Sequence, residues 1–211
     1  MRRAGFSIAL LLAALFFAGC PQPEPPPDDS VLRKPLEELT PEDMERMGAV
    51  IETNLGAFHL RFFPREAPAT VLNFIRLVRT GFYDGIKFHR IIPLLNIHAG
   101  DPTGTGEGGP GWTIPAEINS HPHVRGAVGM YHPPYYYDQG GSQFYVMIAR
   151  DRKLDKSYTV FGEVWKGMDT VDRIAGLPLN APPGQAGEPR SPVLLQKARL
   201  EMLPASAGSK P

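Results

Sequence analysis

Two stretches of this 211-residue chain concentrate the side chains that could do chemistry. The first, FHRIIPLLNIHAGDPTGTGEGG from Phe88 to Gly109, sets a basic residue, Arg90, among aromatic and apolar neighbours on an expected strand. It continues through a second short strand, Asn96 to Gly100, into a glycine-dense turn. The second stretch is GGSQFYVMI, Gly140 to Ile148, followed by YTVFGEV, Tyr158 to Val164. Several familiar chemistries can be tested against them. Gly104 to Gly109 satisfies GxGxxG, but that fingerprint needs a helix N-terminus to receive a pyrophosphate. Pro110-Gly111 and the strand-like Trp112–Ile114 follow instead, so nucleotide binding is rejected. His121 and His123 have no third ligand at helpful spacing, which leaves no metal site. Ser142 lies outside any GxSxG elbow and is followed by a strand, so it is not read as a nucleophile. Arg90 taken alone would be an ordinary solvated strand arginine.

Taken together and in order, these motifs resemble the cyclophilin family of peptidyl-prolyl cis-trans isomerases, and the resemblance runs from about Ala49 to Leu203. It implies catalysis without cofactor or metal. Rotation about an X-Pro amide has a barrier of roughly 18–20 kcal/mol because the nitrogen lone pair is delocalised. Such a catalyst stabilises the twisted amide rather than breaking a bond. By resemblance Arg90 is the catalytic arginine and Gln143 the glutamine that holds the substrate backbone. The family's pocket positions fall on Phe88, Leu95, Asn96, His98, Tyr131, His132, Tyr145, Leu154 and Tyr158. Phe88 and His89 also belong to the strand itself. Departures cluster here: the family usually has phenylalanine-methionine at Leu95-Asn96, glutamine at His98, glycine at Ala99, alanine-asparagine at Tyr131-His132 and an aromatic or histidine at Lys153. An unpaired Asn96 amide in an apolar pocket would cost on the order of 1–3 kcal/mol, a cost that does not arise where Asn96 points away from the groove. Tyr131 and Tyr135 to Tyr137, beside Pro133-Pro134, read either as loop packing or as the wall of a peptide groove. Two functions are compatible with this: an isomerase, or a catalytically weak module that binds proline-containing peptides.

The elements that must position these residues are legible from periodicity. Phe58, Leu60 and Phe62 alternate with polar or small neighbours, the pattern of a half-buried strand in a hairpin with Ala49–Thr53. Pro68 to Arg79 and Met168 to Ile174 read as helices, each with apolar residues on one face. Further strands are expected at Lys87–Ile92, Ile97–Gly100, Trp112–Ile114, Val124–Met130, Gln143–Ile148, Thr159–Val164 and Val193–Leu203. The loop from Gly176 to Pro192 holds five prolines and three glycines, too many for regular structure. Many strands and two helices predict a mainly β fold, a closed antiparallel barrel without exposed edges. The resemblance makes it eight-stranded and capped by two α-helices.

The N-terminus reads differently. Arg2-Arg3, an apolar run from Ala4 to Phe17 and then Ala18-Gly19-Cys20 form a signal-peptide pattern, too short for a membrane span. Its ending resembles a bacterial lipoprotein signal, with Cys20, the sole cysteine, as the acylated first residue. The expected organisation is therefore a leader over 1–19, a proline-rich tether over 20–47, the isomerase domain over 48–203 and a disordered tail over 204–211. Within the tether, Thr40 before Pro41 is a candidate helix N-cap. The implied partners are proline-containing polypeptides and a membrane, with the protein in the bacterial envelope facing the periplasm or exterior. Basic and acidic side chains number 22 each. Without a basic stripe to track phosphates, nucleic acid is not an expected partner.

Overall fold

The computed structural model describes residues 28–204; the expected leader, Cys20 and nearly all of the expected tail lie outside the described residues. Strands β1 (Met47–Thr53) and β2 (Gly56–Phe62) form the hairpin the alternation predicts, with Phe58, Leu60 and Phe62 turned into the core. Helix α2 (Pro68–Arg79) spans the expected residues, with proline in its first turn, and buries Val71, Phe74, Ile75, Leu77 and Val78. Helix α3 (Met168–Ala175) ends one residue beyond expectation. The remaining strands are β3 (Ile86–Lys87), β4 (Arg90–Ile92), β5 (Asn96–Ala99), β6 (Ala127–Met130), β7 (Phe144–Met147), β8 (Val160–Lys166) and β9 (Leu194–Met202). Trp112–Ile114, expected as a strand, contributes only an isolated bridge from Ile114 to Gly140.

All pairings between strands are antiparallel, in the order β3-β9-β1-β2-β8-β6-β7-β5-β4. The expectation of a closed eight-stranded barrel with two helices is thereby corrected: among the described residues the fold is a curled, nine-stranded half-barrel with three α-helices. The expected single strand Lys87–Ile92 breaks at Phe88-His89, and its halves, β3 and β4, fall at opposite ends of the sheet. The outer edge of β4 is occupied by the long loop before β9. Ile91 N–H donates to the Gly187 carbonyl at 2.8 Å, and Gly187 N–H donates back to Ile91 at 3.0 Å. A loop, not a ninth pairing, therefore satisfies that edge, as buried or exposed backbone groups require.

The main core lies between the sheet and α2. Phe74 is its hub, with ring centroids 5.0–5.8 Å from Tyr83, Phe161, Phe144 and Phe62. Each such buried aromatic or aliphatic side chain contributes about 1.5–3 kcal/mol. The third helix, α1 (Pro41–Glu45), is capped by Thr40. Its hydroxyl accepts from Asp43 N–H, and the Asp43 carboxylate accepts from Thr40 N–H, a reciprocal cap. Although its composition reads as tether, this segment lies on the domain. Val31 and Met44 are buried in the main core, and Arg79 of α2 donates to the Lys34 carbonyl at 2.6 Å.

Candidate active site

One rung of the sheet assembles the centre of the site. Arg90 of β4 lies opposite His98 of β5, His98 opposite Tyr145 of β7, and Tyr145 opposite Gly129 of β6. Directly opposed residues share a face of the sheet, so these side chains stand in a row. Gly129 is required there, since a Cβ would lie 2.2 Å from the Tyr145 ring. At the open end of the row, Arg90 is exposed and has no ion-pair or hydrogen-bond partner among the described residues. Arg125 and Arg150, by contrast, clasp Asp172 and Asp155 in forked pairs. Arg90 thus presents an uncommitted guanidinium to a cleft of about 210 Å³.

The glycine-dense turn makes the second wall of this cleft. Gly100 has φ of +95° and no room for a Cβ, which would lie 2.2 Å from the Ser142 carbonyl. Ser142 Oγ donates to the Gly100 carbonyl at 2.6 Å, locking the turn to the strand end beside Gln143. Asp101 organises the rest of the turn. Burial alone would raise its carboxyl, but hydrogen bonds from the Thr103 hydroxyl and the backbone N–H groups of Thr103, Gly106 and Gly108 outweigh it and hold the group well below the usual carboxylate range. Gln143 closes the arrangement by donating from Nε2 to the carbonyls of Gly106 at 3.0 Å and Gly108 at 2.9 Å. Two acceptors fix the orientation of its amide. Its Oε1 is left as an acceptor with no protein partner among the described residues, available to a peptide N–H.

His98 and Asn96 satisfy each other. Asn96 Oδ1 lies 3.0 Å from His98 Nε2, and its Nδ2 faces the Met147 sulfur at 3.8 Å. The expected cost of an unpaired amide does not arise, because Asn96 is buried against this partner instead of lining the cleft. Burial, and then the neighbouring His89 and Arg90, hold the His98 imidazole down to about 3. His98 is therefore neutral at physiological pH and does not repel Arg90. With Nε2 donating to Asn96, Nδ1 is the free acceptor. The depressed value also sets an acid sensitivity. The folded state disfavours the proton, so this contribution to stability is complete above the ordinary 6.5 and is lost as pH falls towards 3. His98→Gln is expected to make the denaturation midpoint fall less steeply than wild type across that window. Parallel slopes in urea titrations at pH 7, 5 and 4 would contradict it.

The structure sorts the expected pocket residues into groups. Arg90, His98, Tyr131 and Gln143 line the cleft, together with residues that sequence reasoning missed: His89, Thr105, Gly106 and the loop residues Ala186, Gly187 and Glu188. Glu188 is paired with Lys87 at 2.6 Å. Nothing local in the proline-punctuated loop signalled its approach; the bridge from Ile91 to Gly187 and the Lys87–Glu188 pair hold it there. Leu95, Tyr145, Leu154 and Tyr158 meet in a second apolar cluster, with Ala127, Met147 and Val160, against which Tyr131 also packs. Phe88 lies in the main core. His132 stacks on Tyr158 at 4.4 Å, its ring nitrogens 2.9 Å from the Pro133 carbonyl and 3.1 Å from that of Ser157, and it does not reach the cleft. Of the four loop tyrosines Tyr131 alone lines it; Tyr135, Tyr136 and Tyr137 are exposed. His121 and His123 part company: the first stacks on Phe63, the second is buried between Asp155 and Tyr145.

The comparisons with known proteins agree with this geometry. Residues 49–200 match the family model described as cyclophilin type peptidyl-prolyl cis-trans isomerase. A peptidyl-prolyl cis-trans isomerase of Synechococcus elongatus is 46% identical over 115 residues, covering 54% of this chain and 78% of the relative. An isomerase of Helicobacter pylori is 39% identical over 142 residues, covering 65% and 86%. Among solved structures, a cyclophilin-type isomerase of Cryptosporidium parvum superposes with a TM-score of 0.69 at 27% identity, covering 75% of this chain and 99% of its own. The same parasite protein has been crystallised in the presence of the dipeptide Ala-Pro, with a TM-score of 0.68. With the family match spanning well over half its length, and with Arg90 and Gln143 both lining the cleft, this chain belongs to the cyclophilin-type peptidyl-prolyl cis-trans isomerases.

Proposed function

We propose that the isomerase acts on X-Pro bonds of exported polypeptides, with Arg90 and Gln143 as its working residues, while anchored by lipid at Cys20 in a bacterial envelope. The observation that carries the chemistry is that the uncommitted guanidinium of Arg90 and the oriented amide of Gln143 line one cleft. As the prolyl amide twists, conjugation is lost and the nitrogen lone pair becomes localised. A permanently charged, rigid fork of donors stabilises that lone pair more than it stabilises the planar amide. Gln143 Oε1 would accept a substrate N–H and hold the chain while the bond turns. NMR exchange spectroscopy on a short Ala-Pro peptide tests this directly. Cross-peaks between cis and trans forms should strengthen in proportion to protein concentration. A peptide that binds while its exchange stays at the uncatalysed rate would favour a binding module instead.

The location rests on the leader pattern and its Ala18-Gly19-Cys20 ending. Acyl chains contribute about 0.8 kcal/mol per buried CH₂, so several on one cysteine give a firm hold. Among the described residues no helix is long and apolar enough to cross a membrane. Cys20→Ser is expected to move the protein from the membrane fraction to the soluble one, or to leave the precursor uncleaved. Wild-type protein found soluble in the cytoplasm with Met1 retained would end the proposal.

A further inference from the structure

We propose that Tyr131 controls entry of the prolyl ring, standing between the polar cleft at Arg90 and the apolar cluster that seats the ring, so that it must turn aside for substrate to bind. This rests on the reading of the cleft as the X-Pro site. A prolyl ring is held by apolar contact, yet the cleft beside Arg90 is walled by His89, His98, Thr105, Gln143 and Glu188. Apolar surface of the right kind lies next to it, in the cluster of Leu95, Tyr145, Met147, Leu154 and Val160. Two residues line the cleft and also adjoin that cluster: His98, whose ring lies 5.4 Å from Tyr145 and which is tied to Asn96, and Tyr131, which packs on the cluster with no such tie.

Its backbone and its side chain are held very differently. The Tyr131 N–H donates to the Gln143 carbonyl at 2.9 Å, so its Cα is fixed to the strand that carries the substrate-holding amide. The phenol has no hydrogen-bond partner among the described residues, and the ring rests 5.7 Å from His98 through contact alone. Tyr83 and Tyr145 are tied down by comparison. Tyr83 donates to the Ser142 carbonyl at 3.1 Å. The Tyr145 hydroxyl lies 2.8 Å from His123 Nε2; His123 Nδ1 lies 3.1 Å from Asp155, and Arg150 clamps Asp155 at 3.0 Å. The chain Arg150–Asp155–His123–Tyr145 keeps the floor of the cluster in place when its cover moves. A partly exposed ring on a fixed Cα changes rotamer on the picosecond-to-nanosecond scale without disturbing the strand.

Where the competent state is a minor one, apparent affinity falls by its fractional population. Tyr131→Ala in the full-length, detergent-solubilised chain is therefore expected to tighten binding of an Ala-Pro peptide by about three- to tenfold. Tyr131→Trp, with a larger ring on the same Cα, is expected to weaken it by a similar factor. Both are read by NMR titration, with thermal unfolding recorded on each sample. Unchanged or weaker binding by a folded Tyr131→Ala protein would overturn the proposal, since the ring would then be part of the seat or a bystander. Should the alanine variant not fold, unchanged or tighter binding by Tyr131→Trp would overturn it equally. Exchange spectroscopy on the same samples separates the two ideas. Tighter binding by the alanine variant with no catalysed exchange in wild type leaves the gate standing and removes the isomerase reading of the cleft. Catalysed exchange in wild type with affinity indifferent to Tyr131 does the reverse.

Discussion

Arg90→Ala is expected to slow catalysed exchange of an Ala-Pro peptide by on the order of 10²-fold or more. The size follows from what Arg90 does not do. It is exposed at the end of β4 and has no carboxylate or hydrogen-bond partner among the described residues, so its charge is spent on no structural contact. Removing it should leave the thermal midpoint near the wild-type value, while the developing lone pair loses its donor. Arg90→Lys separates charge from geometry. A point charge on a flexible stem retains some attraction but lacks the rigid fork, so activity should fall between wild type and Arg90→Ala. Exchange rates at saturating peptide give the answer, and Arg90→Ala retaining a third or more of wild-type exchange would refute the assignment.

Gln143→Ala carries the second large effect, by a different route. Two neutral hydrogen bonds tie its amide to Gly106 and Gly108, and a third is offered to substrate. Bonds of this kind contribute about 0.5–1.5 kcal/mol each. Losing the set should lower kcat/KM by roughly 30- to 100-fold, partly through the loop and partly through lost substrate alignment. Gln143→Glu should be comparably damaging despite its similar size. It presents acceptors to two carbonyl oxygens and so expels the turn it should hold. Faster hydrogen–deuterium exchange over residues 101–109 in both variants, with the rest of the sheet unchanged, would identify the loop component. Wild-type protection there in Gln143→Glu would mean that the two staples do not hold the turn.

The elements that the sequence determined are those whose signal is local. The alternation of Phe58, Leu60 and Phe62 and the one-sided apolar faces of α2 and α3 each lie within a few turns of backbone, and each element forms where its period predicts. The Thr40 cap is equally local. The Phe88–Gly109 and Gly140–Ile148 motifs carried the family, because a turn without room for a Cβ at Gly100 and a staple at Gln143 demand particular residue types. Tertiary structure decided the relations between distant segments. The break at Phe88-His89 sends β3 and β4 to opposite ends of the sheet, and a loop nearly 100 residues later covers the edge of β4 at Ile91. Asn96 looked like a defect in an apolar pocket. Its amide is matched across two strand positions by His98, a pairing that alternation allows but no composition requires. Tyr131 read as a pocket position by resemblance and, with the other three tyrosines, as either loop packing or groove wall; of the four, Tyr131 lines the cleft, its N–H paired with the Gln143 carbonyl. Periodicity fixes which face a side chain takes. The neighbours that side chain meets on arrival depend on sheet register and on loops that cross from elsewhere, and those are settled only by packing the whole chain at once.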